Sequence, residues 1–178
     1  MPATPNTIRI PAEGAFVYRE LARQADVSPE TFAEQSMRLG ALLIAVMDLS
    51  DDETDGRPEE AGAIPEMSVL FEQPDHSYII YPIDFMKPMR HEVNSLSQEL
   101  YRLIEGDSEP MILEVDPKLM DSSRRLAQLF NTEFASYLEN CFFYRWQWLV
   151  TRKHQGEILI DDGKSGDDYL IVEEDLFI

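Results

Sequence analysis

Few side chains in this sequence have the type and spacing that catalysis or metal binding needs. Three histidines are present: His76, His91 and His154. None has a second ligand three or four residues away, as a helical metal site would require. Lys164 and Ser165 lack the preceding glycines of a phosphate-binding loop. The single Cys141 lies among aromatic residues of a predicted helix, which indicates a buried and inert thiol. We therefore predict a protein that is not an enzyme, with no catalytic residue, no metal and no cofactor.

Negative charge is the clearest chemical feature. The sequence has 34 acidic and 15 basic residues, so its formal net charge is −19 and its pI is about 4.3. Residues 49–75 hold nine acids against one base, and residues 156–178 hold eight against one. Such charge repels phosphates, so it argues against unaided electrostatic binding of nucleic acid and favours a basic protein partner.

The expected compartment follows from what the sequence lacks. A single cysteine excludes an intrachain disulfide and fits a reducing compartment. The first residues, "MPATPNTIRI", do not resemble a secretory signal, and no run approaches the length of a membrane helix. We expect a cytoplasmic protein with no membrane segment.

A short strand at the start of the chain offers candidate binding residues. Residues 7–10, "TIRI", alternate in polarity and end before Pro11, which cannot continue a strand ladder. Thr7 and Arg9 would point outward from this strand, and Ile8 and Ile10 would point toward a core.

Two amphipathic helices are predicted after this strand. The first spans residues 13–25, with an apolar residue at every fourth position. The second begins at Ser28, a good N-cap residue, with Pro29 at the first helical position. Its predicted inward residues are Phe32, Ser36, Leu39, Leu43 and Val46.

The same order of elements returns in residues 111–154. "MILEV" predicts a strand, Asp116 and Pro117 predict a helix start, and Asn131 or Thr132 predicts the start of the next helix. The predicted inward residues are Leu119, Leu126, Leu129 and Phe130, followed by Phe134, Leu138, Cys141 and Leu149. The units share Leu-Ala (21–22 and 126–127) and Phe-Ala (32–33 and 134–135), although the spacing between these pairs differs by three residues. We predict a duplication from the repeated order of elements.

The whole chain is expected to be an α+β protein. Residues 68–108 predict a hairpin, with its turn at residues 73–76, followed by a helix around residues 88–105. The predicted divisions are a strand-helix-helix unit at 1–48, an acidic linker at 49–67, the hairpin and helix at 68–108, a second strand-helix-helix unit at 109–155 and an acidic tail with short strands at 156–178.

The first unit resembles the ribbon-helix-helix regulators of the Arc repressor and ParD-like antitoxin kind. The resemblance rests on "IRIP" before the first helix and "VSPETFAEQSMRLGALL" as the second. It implies an antiparallel ribbon formed across a dimer, whose outward side chains read bases in the DNA major groove. Carried over, the base-reading residues would be Thr7 and Arg9, and the phosphate contact would come from backbone amides around Ser28 and Glu30.

Two arrangements of the ribbon stay open at this stage. In one, the first unit pairs with another chain in a homodimer. In the other, both units pair within one chain, and the ribbon presents Arg9 on one strand and Glu114 at the corresponding place on the other. A carboxylate facing phosphates is unfavourable, so this second arrangement favours protein contacts.

We thus expect an acidic, antitoxin-like regulator that binds a basic protein and is a candidate for binding operator DNA. The alternatives are a protein-binding inhibitor or DNA mimic without DNA binding, and a non-enzymatic subunit of a larger assembly. Apolar residues alternate with acids in the tail and could add a strand to a partner. The candidate partner-binding residues there are Tyr169, Leu170, Val172, Leu176 and Phe177.

Overall fold

The computed structural model describes residues 6–51, 67–83, 85, 110–161 and 170–171. The strands are β1 (Thr7–Ile10), β2 (Ser68–Glu72), β3 (Tyr78–Pro82), β4 (Met111–Glu114), β5 (Ile158–Asp161) and β6 (Leu170–Ile171). The helices are α1 (Ala12–Gln24), α2 (Pro29–Asp51), α3 (Pro117–Leu129) and α4 (Phe134–Lys153). Together with two antiparallel sheets, these helices make the α+β fold that the sequence predicts.

The first strand-helix-helix unit follows its local signals. Pro11 separates β1 from α1. Beyond α1 the chain turns at Asp26, whose positive φ of 56° is a conformation that aspartate and asparagine tolerate better than most residues. Ser28 then caps α2 as predicted, because its Oγ accepts a hydrogen bond from the Thr31 N–H at 3.1 Å. Pro29 is the first helical residue.

The second unit uses the same devices with other residues. The carboxylate of Asp116 accepts hydrogen bonds from the backbone N–H groups of Lys118 and Leu119, at 2.9 and 3.0 Å. This confirms the predicted cap of α3. The turn after α3 has its positive φ, 49°, at Asn131. Helix α4 begins at Phe134, after Glu133, so the predicted start at Asn131 or Thr132 is two to three residues early.

A constant offset of 105 positions relates the two units throughout. The equivalent pairs are Pro11 and Asp116 before the first helix, Asp26 and Asn131 in the turn, and Ser28 and Glu133 before the second helix. Both first helices have 13 residues. The backbone hydrogen bonds of the turn also repeat. In the first unit the Ala25 N–H donates to the Leu21 carbonyl and the Val27 N–H to the Ala22 carbonyl. In the second unit the Phe130 N–H donates to the Leu126 carbonyl and the Thr132 N–H to the Ala127 carbonyl.

The offset corrects one of the sequence matches. The shared Leu-Ala pair lies at equivalent positions in α1 and α3, whereas the shared Phe-Ala pair does not. Phe32 of α2 is equivalent to Tyr137, and both are fully buried. Phe134 instead stands where the first unit has Pro29. The three-residue difference in the spacing between the Leu-Ala and Phe-Ala pairs is therefore not an insertion, because the two Phe-Ala pairs are not equivalent.

The two units meet in one chain through an antiparallel ribbon of β1 and β4. Ile8 lies opposite Leu113, its own equivalent, so a local pseudo-two-fold axis passes between them. Both side chains are buried on the inner face. Of the two arrangements left open by the sequence, the structure contains the intramolecular one.

Helices α2 and α4 form the centre of the core and approach closely at Gly40. A Cβ atom added there would overlap Cys141 Sγ and come within 3.3 Å of the Tyr137 hydroxyl. The buried Arg145 donates from Nη2 to Gln35 Oε1 at 2.8 Å across the same helix pair. Trp148, Tyr144 and Phe143 of α4 are also buried, as expected for a central aromatic helix.

The second sheet has the strand order β3-β2-β5-β6 and packs beside α4. Rings of Phe71 and Tyr81 lie 6.0 Å apart, and those of Tyr81 and Phe143 5.0 Å apart, both edge to face. The hairpin turn lies at residues 73–76 as predicted, with His76 at a positive φ of 63°.

Several boundary predictions need correction. Leu129 was expected to face inward but is 71% exposed, because the buried residues of α3 are Met120, Ser123 and Ala127. The predicted linker at 49–67 begins too early, since α2 continues to Asp51, and ends too late, since Met67 is buried beside β2. The helix predicted around residues 88–105 lies outside the described residues.

Candidate interaction surface

Four side chains form the outward face of the ribbon. They are Thr7 and Arg9 on β1, and Ile112 and Glu114 on β4. Thr7 lies opposite Glu114, and Arg9 lies opposite Ile112. Arg9 and Glu114 are exposed, and Ile112 is 65% exposed although it is a large apolar residue. The predicted outward direction of Thr7 and Arg9 is confirmed, although Thr7 is half-buried.

Carboxylates gather at one end of this ribbon. Glu34 of α2 accepts a hydrogen bond through Oε1 from the backbone N–H of Asp116, at 2.8 Å, and so satisfies a group at the start of α3 in the other unit. Glu30 lies one turn before Glu34 on the same helix face. Glu114 lies two residues before Asp116. We call these four residues, Glu30, Glu34, Glu114 and Asp116, the acidic end of the ribbon.

The opposite end is different in charge. There Arg9 occupies the position equivalent to Glu114, Pro11 that of Asp116, and Ala135 that of Glu30, whereas Glu139 keeps the carboxylate of Glu34. Among the described residues neither Arg9 nor Glu114 forms an ion pair, so both charges face solvent. The ribbon therefore carries charge of opposite sign at positions related by the pseudo-two-fold axis.

The candidate phosphate contact at Ser28 and Glu30 lies at the start of α2. The Ser28 hydroxyl is used in its own helix, because it accepts from Thr31 N and also donates to Thr31 Oγ1 at 3.1 Å. Glu30 places a carboxylate in the first turn. Burial, and then the negative charge of Glu30, raise the pKa of Tyr18, whose hydroxyl donates to the Pro29 carbonyl at 3.2 Å. A phosphate at this helix start would meet the Glu30 carboxylate.

An open cleft of about 400 Å³ lies beside the same loop, lined by Arg19, Ala22, Arg23, Asp26, Val27, Ser28 and Pro29. Its basic character is reduced by a neighbouring carboxylate. Arg23 donates from Nε and Nη2 to Glu20 at 2.8 and 2.6 Å. These hydrogen bonds, with a further one from Gln24, lower the pKa of Glu20 to about 2.

The candidate partner-binding residues of the tail are only partly within the described residues. Leu170 lies in β6, where it pairs with Ile160 of β5. The backbone at Leu170 is thus part of the second sheet. Tyr169, Val172, Leu176 and Phe177 lie outside the described residues.

The reactive groups of the described residues are held in structural positions. Burial raises the pKa of the Cys141 thiol to about 12. His154 Nε2 lies 2.7 Å from the Glu72 carbonyl oxygen, and His76 Nδ1 lies 2.6 Å from Glu72 Oε1. No group of three or more histidine, cysteine, aspartate or glutamate side chains that could hold a metal occurs in the described part of the chain. His91 lies outside it.

Two residues of this surface were not singled out in the sequence. Ile112 could have been found, because the alternation of "MILEV" places it on the same face as Glu114. Glu34 could not, since its contact with Asp116 joins residues 82 positions apart.

Within the described residues, no helix is long and apolar enough to cross a membrane. Comparisons of the chain with family models, curated proteins and solved structures find no match.

Proposed function

We propose that this chain is a non-enzymatic, antitoxin-like regulator that binds a basic protein partner through the acidic end of its ribbon. The observation that supports the proposal is the polarity of the ribbon. Four carboxylates lie at one end, and two of them, Glu30 and Glu114, make no ion pair within the described residues. Because both halves of the ribbon belong to one chain, the site has a single orientation and needs no symmetrical partner.

The type of partner follows from electrostatics. The exposed carboxylates of Glu114 and Asp116, with the half-buried ones of Glu30 and Glu34, lie on a chain of net charge −19. Such negative charge attracts a basic surface and raises the rate of encounter. Exposed charges are screened over about 8 Å at physiological salt, so the attraction must come mainly from close contacts. Apolar tail residues that alternate with acids would supply contact area that salt does not screen. A small basic toxin or a nucleic-acid-binding protein has the required chemistry.

Operator DNA is the second candidate ligand, and Arg9 is the observation that favours it. An exposed arginine on an antiparallel ribbon can donate two hydrogen bonds to a guanine in the major groove. The resemblance to ribbon-helix-helix regulators supports the same role for Thr7. Glu114 on the same face and Glu30 at the helix start oppose it, because both would face phosphates. We therefore rank protein binding first.

A DNA mimic and an assembly subunit remain alternatives within protein binding. The lone buried cysteine supports a cytoplasmic location.

The protein-binding proposal is tested by capture from cell extract with matched charge variants. One variant carries Glu30→Gln and Glu114→Gln, and the control carries Glu133→Gln and Glu157→Gln, which removes the same charge from exposed residues outside the acidic end. The captured proteins are quantified by mass spectrometry. We expect a basic protein to be captured by the wild type and the control and lost from the first variant. Equal capture by all three would contradict the proposal.

The DNA candidate is tested separately with purified protein. The chain is used to select sites from a random duplex pool at low salt, and Arg9→Ala is carried in parallel. If the ribbon reads DNA, an enriched sequence should emerge that Arg9→Ala binds about 1–3 kcal/mol more weakly. The absence of any enriched sequence would remove the DNA candidate and leave the protein-binding one in place.

A further inference from the structure

The outward face of the ribbon has a second property that its charge pattern creates. Arg9 and Glu114 lie at positions related by the pseudo-two-fold axis, and Thr7 and Ile112 occupy the other two positions. In the plane of the ribbon these four side chains form a rectangle. Arg9 and Glu114 stand at the ends of one diagonal, and Thr7 and Ile112 at the ends of the other.

Such a pattern is complementary to itself. Neighbouring strands lie about 5 Å apart, and alternate residues of a strand about 6.6 Å apart, so the sides of the rectangle differ by about 1.6 Å, a distance that a long arginine side chain can span. A second copy can be turned over about the diagonal that joins Thr7 and Ile112. In that position each Arg9 meets the Glu114 of the other copy, and the two Ile112 side chains meet each other. The strands then cross at nearly a right angle, which is a known mode of sheet packing.

We propose that the outward face of the ribbon is also a self-association site, on which a second copy of this chain docks at nearly a right angle. The contact is isologous, with one Arg9–Glu114 ion pair on each side of the axis and the two Ile112 side chains in contact at one end of it. Its driving force is the burial of Ile112, which is 65% exposed in the single chain. The interface is small, so association is weak and transient.

The overall charge of the chain gives this association a distinctive dependence on salt. Two chains of net charge −19 repel one another at long range, and salt screens that repulsion. Salt also weakens the ion pairs, but it leaves the contact between the Ile112 side chains intact. Self-association is therefore expected to strengthen between low and physiological salt, whereas the attraction of a basic partner weakens over the same range.

The test is sedimentation equilibrium of the purified full chain, up to about 1 mM protein. The variants are Arg9→Glu, Glu114→Arg and the double exchange that carries both changes. Each single change places like charges opposite each other and is expected to weaken association by at least about tenfold, and the double exchange should restore it. Glu114→Arg is the sharpest case, because it makes the net charge less negative by two and so reduces the long-range repulsion, and yet it is expected to weaken association.

Two further variants test the apolar contact between the Ile112 side chains. Ile112→Ser is expected to weaken association by about tenfold. Leu129→Ser removes a comparably exposed apolar side chain from α3 and should have no effect. Circular dichroism establishes that each variant is folded, which is expected because the altered side chains are exposed.

Three results would overturn the inference: a wild-type chain that stays monomeric at about 1 mM, stronger association of Glu114→Arg, or equal effects of the two serine variants. The inference does not depend on the proposed function. It uses the purified chain alone, so its failure leaves the capture experiment untouched, and a failed capture leaves this one valid.

Discussion

Replacing Gly40 by alanine tests whether the close approach of α2 and α4 holds the two units together. An alanine Cβ at this position would overlap Cys141 Sγ, and the neighbouring Tyr137 hydroxyl lies 3.3 Å away. Cys141 is fully buried, so its side chain has little room to move aside. Overpacking of this kind typically costs about 1–3 kcal/mol. Alanine also gains about 1 kcal/mol over glycine in a helix interior. Because the overlap falls close to the backbone, we expect a net loss of about 1–2 kcal/mol in the free energy of unfolding.

Removing the sulfur should reverse this effect. Cys141→Ala alone leaves a cavity and is expected to cost about 1–2 kcal/mol. In the double variant the methyl group introduced by Gly40→Ala occupies the space of the lost sulfur, so the two changes should compensate, with a coupling energy of about 1–3 kcal/mol. Urea denaturation of the four proteins measures these values, and about 1 kcal/mol corresponds to roughly 2–4 °C in Tm for a chain of this size. A Gly40→Ala variant that is more stable than the wild type, or two changes that simply add, would refute the close packing of α2 against α4.

Three further predictions concern other parts of the chain. The hydrogen bond between His76 and Glu72 raises the pKa of His76 and lowers that of Glu72. The pair therefore stabilises the fold most between about pH 4.5 and 6.5, the ordinary pKa values of the two groups, and this contribution is lost as the pH falls through the Glu72 pKa or rises through the His76 pKa. His76→Ala should flatten this part of a profile of Tm against pH. Asp116→Ala should cost about 1 kcal/mol of stability in urea denaturation because two N–H groups lose their cap, whereas Asp116→Asn should be nearly neutral. Deletion of residues 166–178 should lower the unfolding free energy and speed amide exchange in β5, since β6 pairs with that strand. Unchanged stability and exchange would show that this pairing contributes little to the sheet.

The local elements could be predicted because each has a short-range cause. The alternation of residues 7–10 gave the strand and its outward face, and Ser28 and Asp116 gave two helix starts through their own hydrogen bonds. The repeated order of elements gave the duplication. These features depend on residues within a few positions of one another, and the sequence contains that information directly.

The register between the units was harder to predict, because it is set by backbone conformation and not by matching letters. Asp26 and Asn131 are equivalent since both tolerate a positive φ, although they are different residues. The Phe-Ala match was misleading, because apolar residues recur every three or four positions in any amphipathic helix. Leu129 was misplaced for a related reason, since the buried side of α3 is lined with small residues, Ser123 and Ala127, that permit close packing.

The acidic end of the ribbon was not predictable, because it is assembled from distant parts of the chain. Glu34 reaches Asp116 only after β1 has paired with β4 and α2 has packed across the start of α3. The charge count along the sequence placed the excess of acids elsewhere, in residues 49–75 and 156–178. It is the fold that turns four ordinary glutamate and aspartate residues into one surface.

Joining both halves of the ribbon in one chain also explains how the halves could become so different. In a ribbon formed by two identical chains, every residue appears twice, so Arg9 on one strand would require an arginine in place of Glu114 on the other. A dimer of identical chains would also carry the buried Arg145 twice. In this chain Arg145 occurs once, and the equivalent position in the first unit is Gly40. Covalent connection removes this constraint, and it also makes assembly of the ribbon independent of protein concentration. The consequence of this connection is a ribbon with two distinct ends, which is the feature that both proposed contacts use.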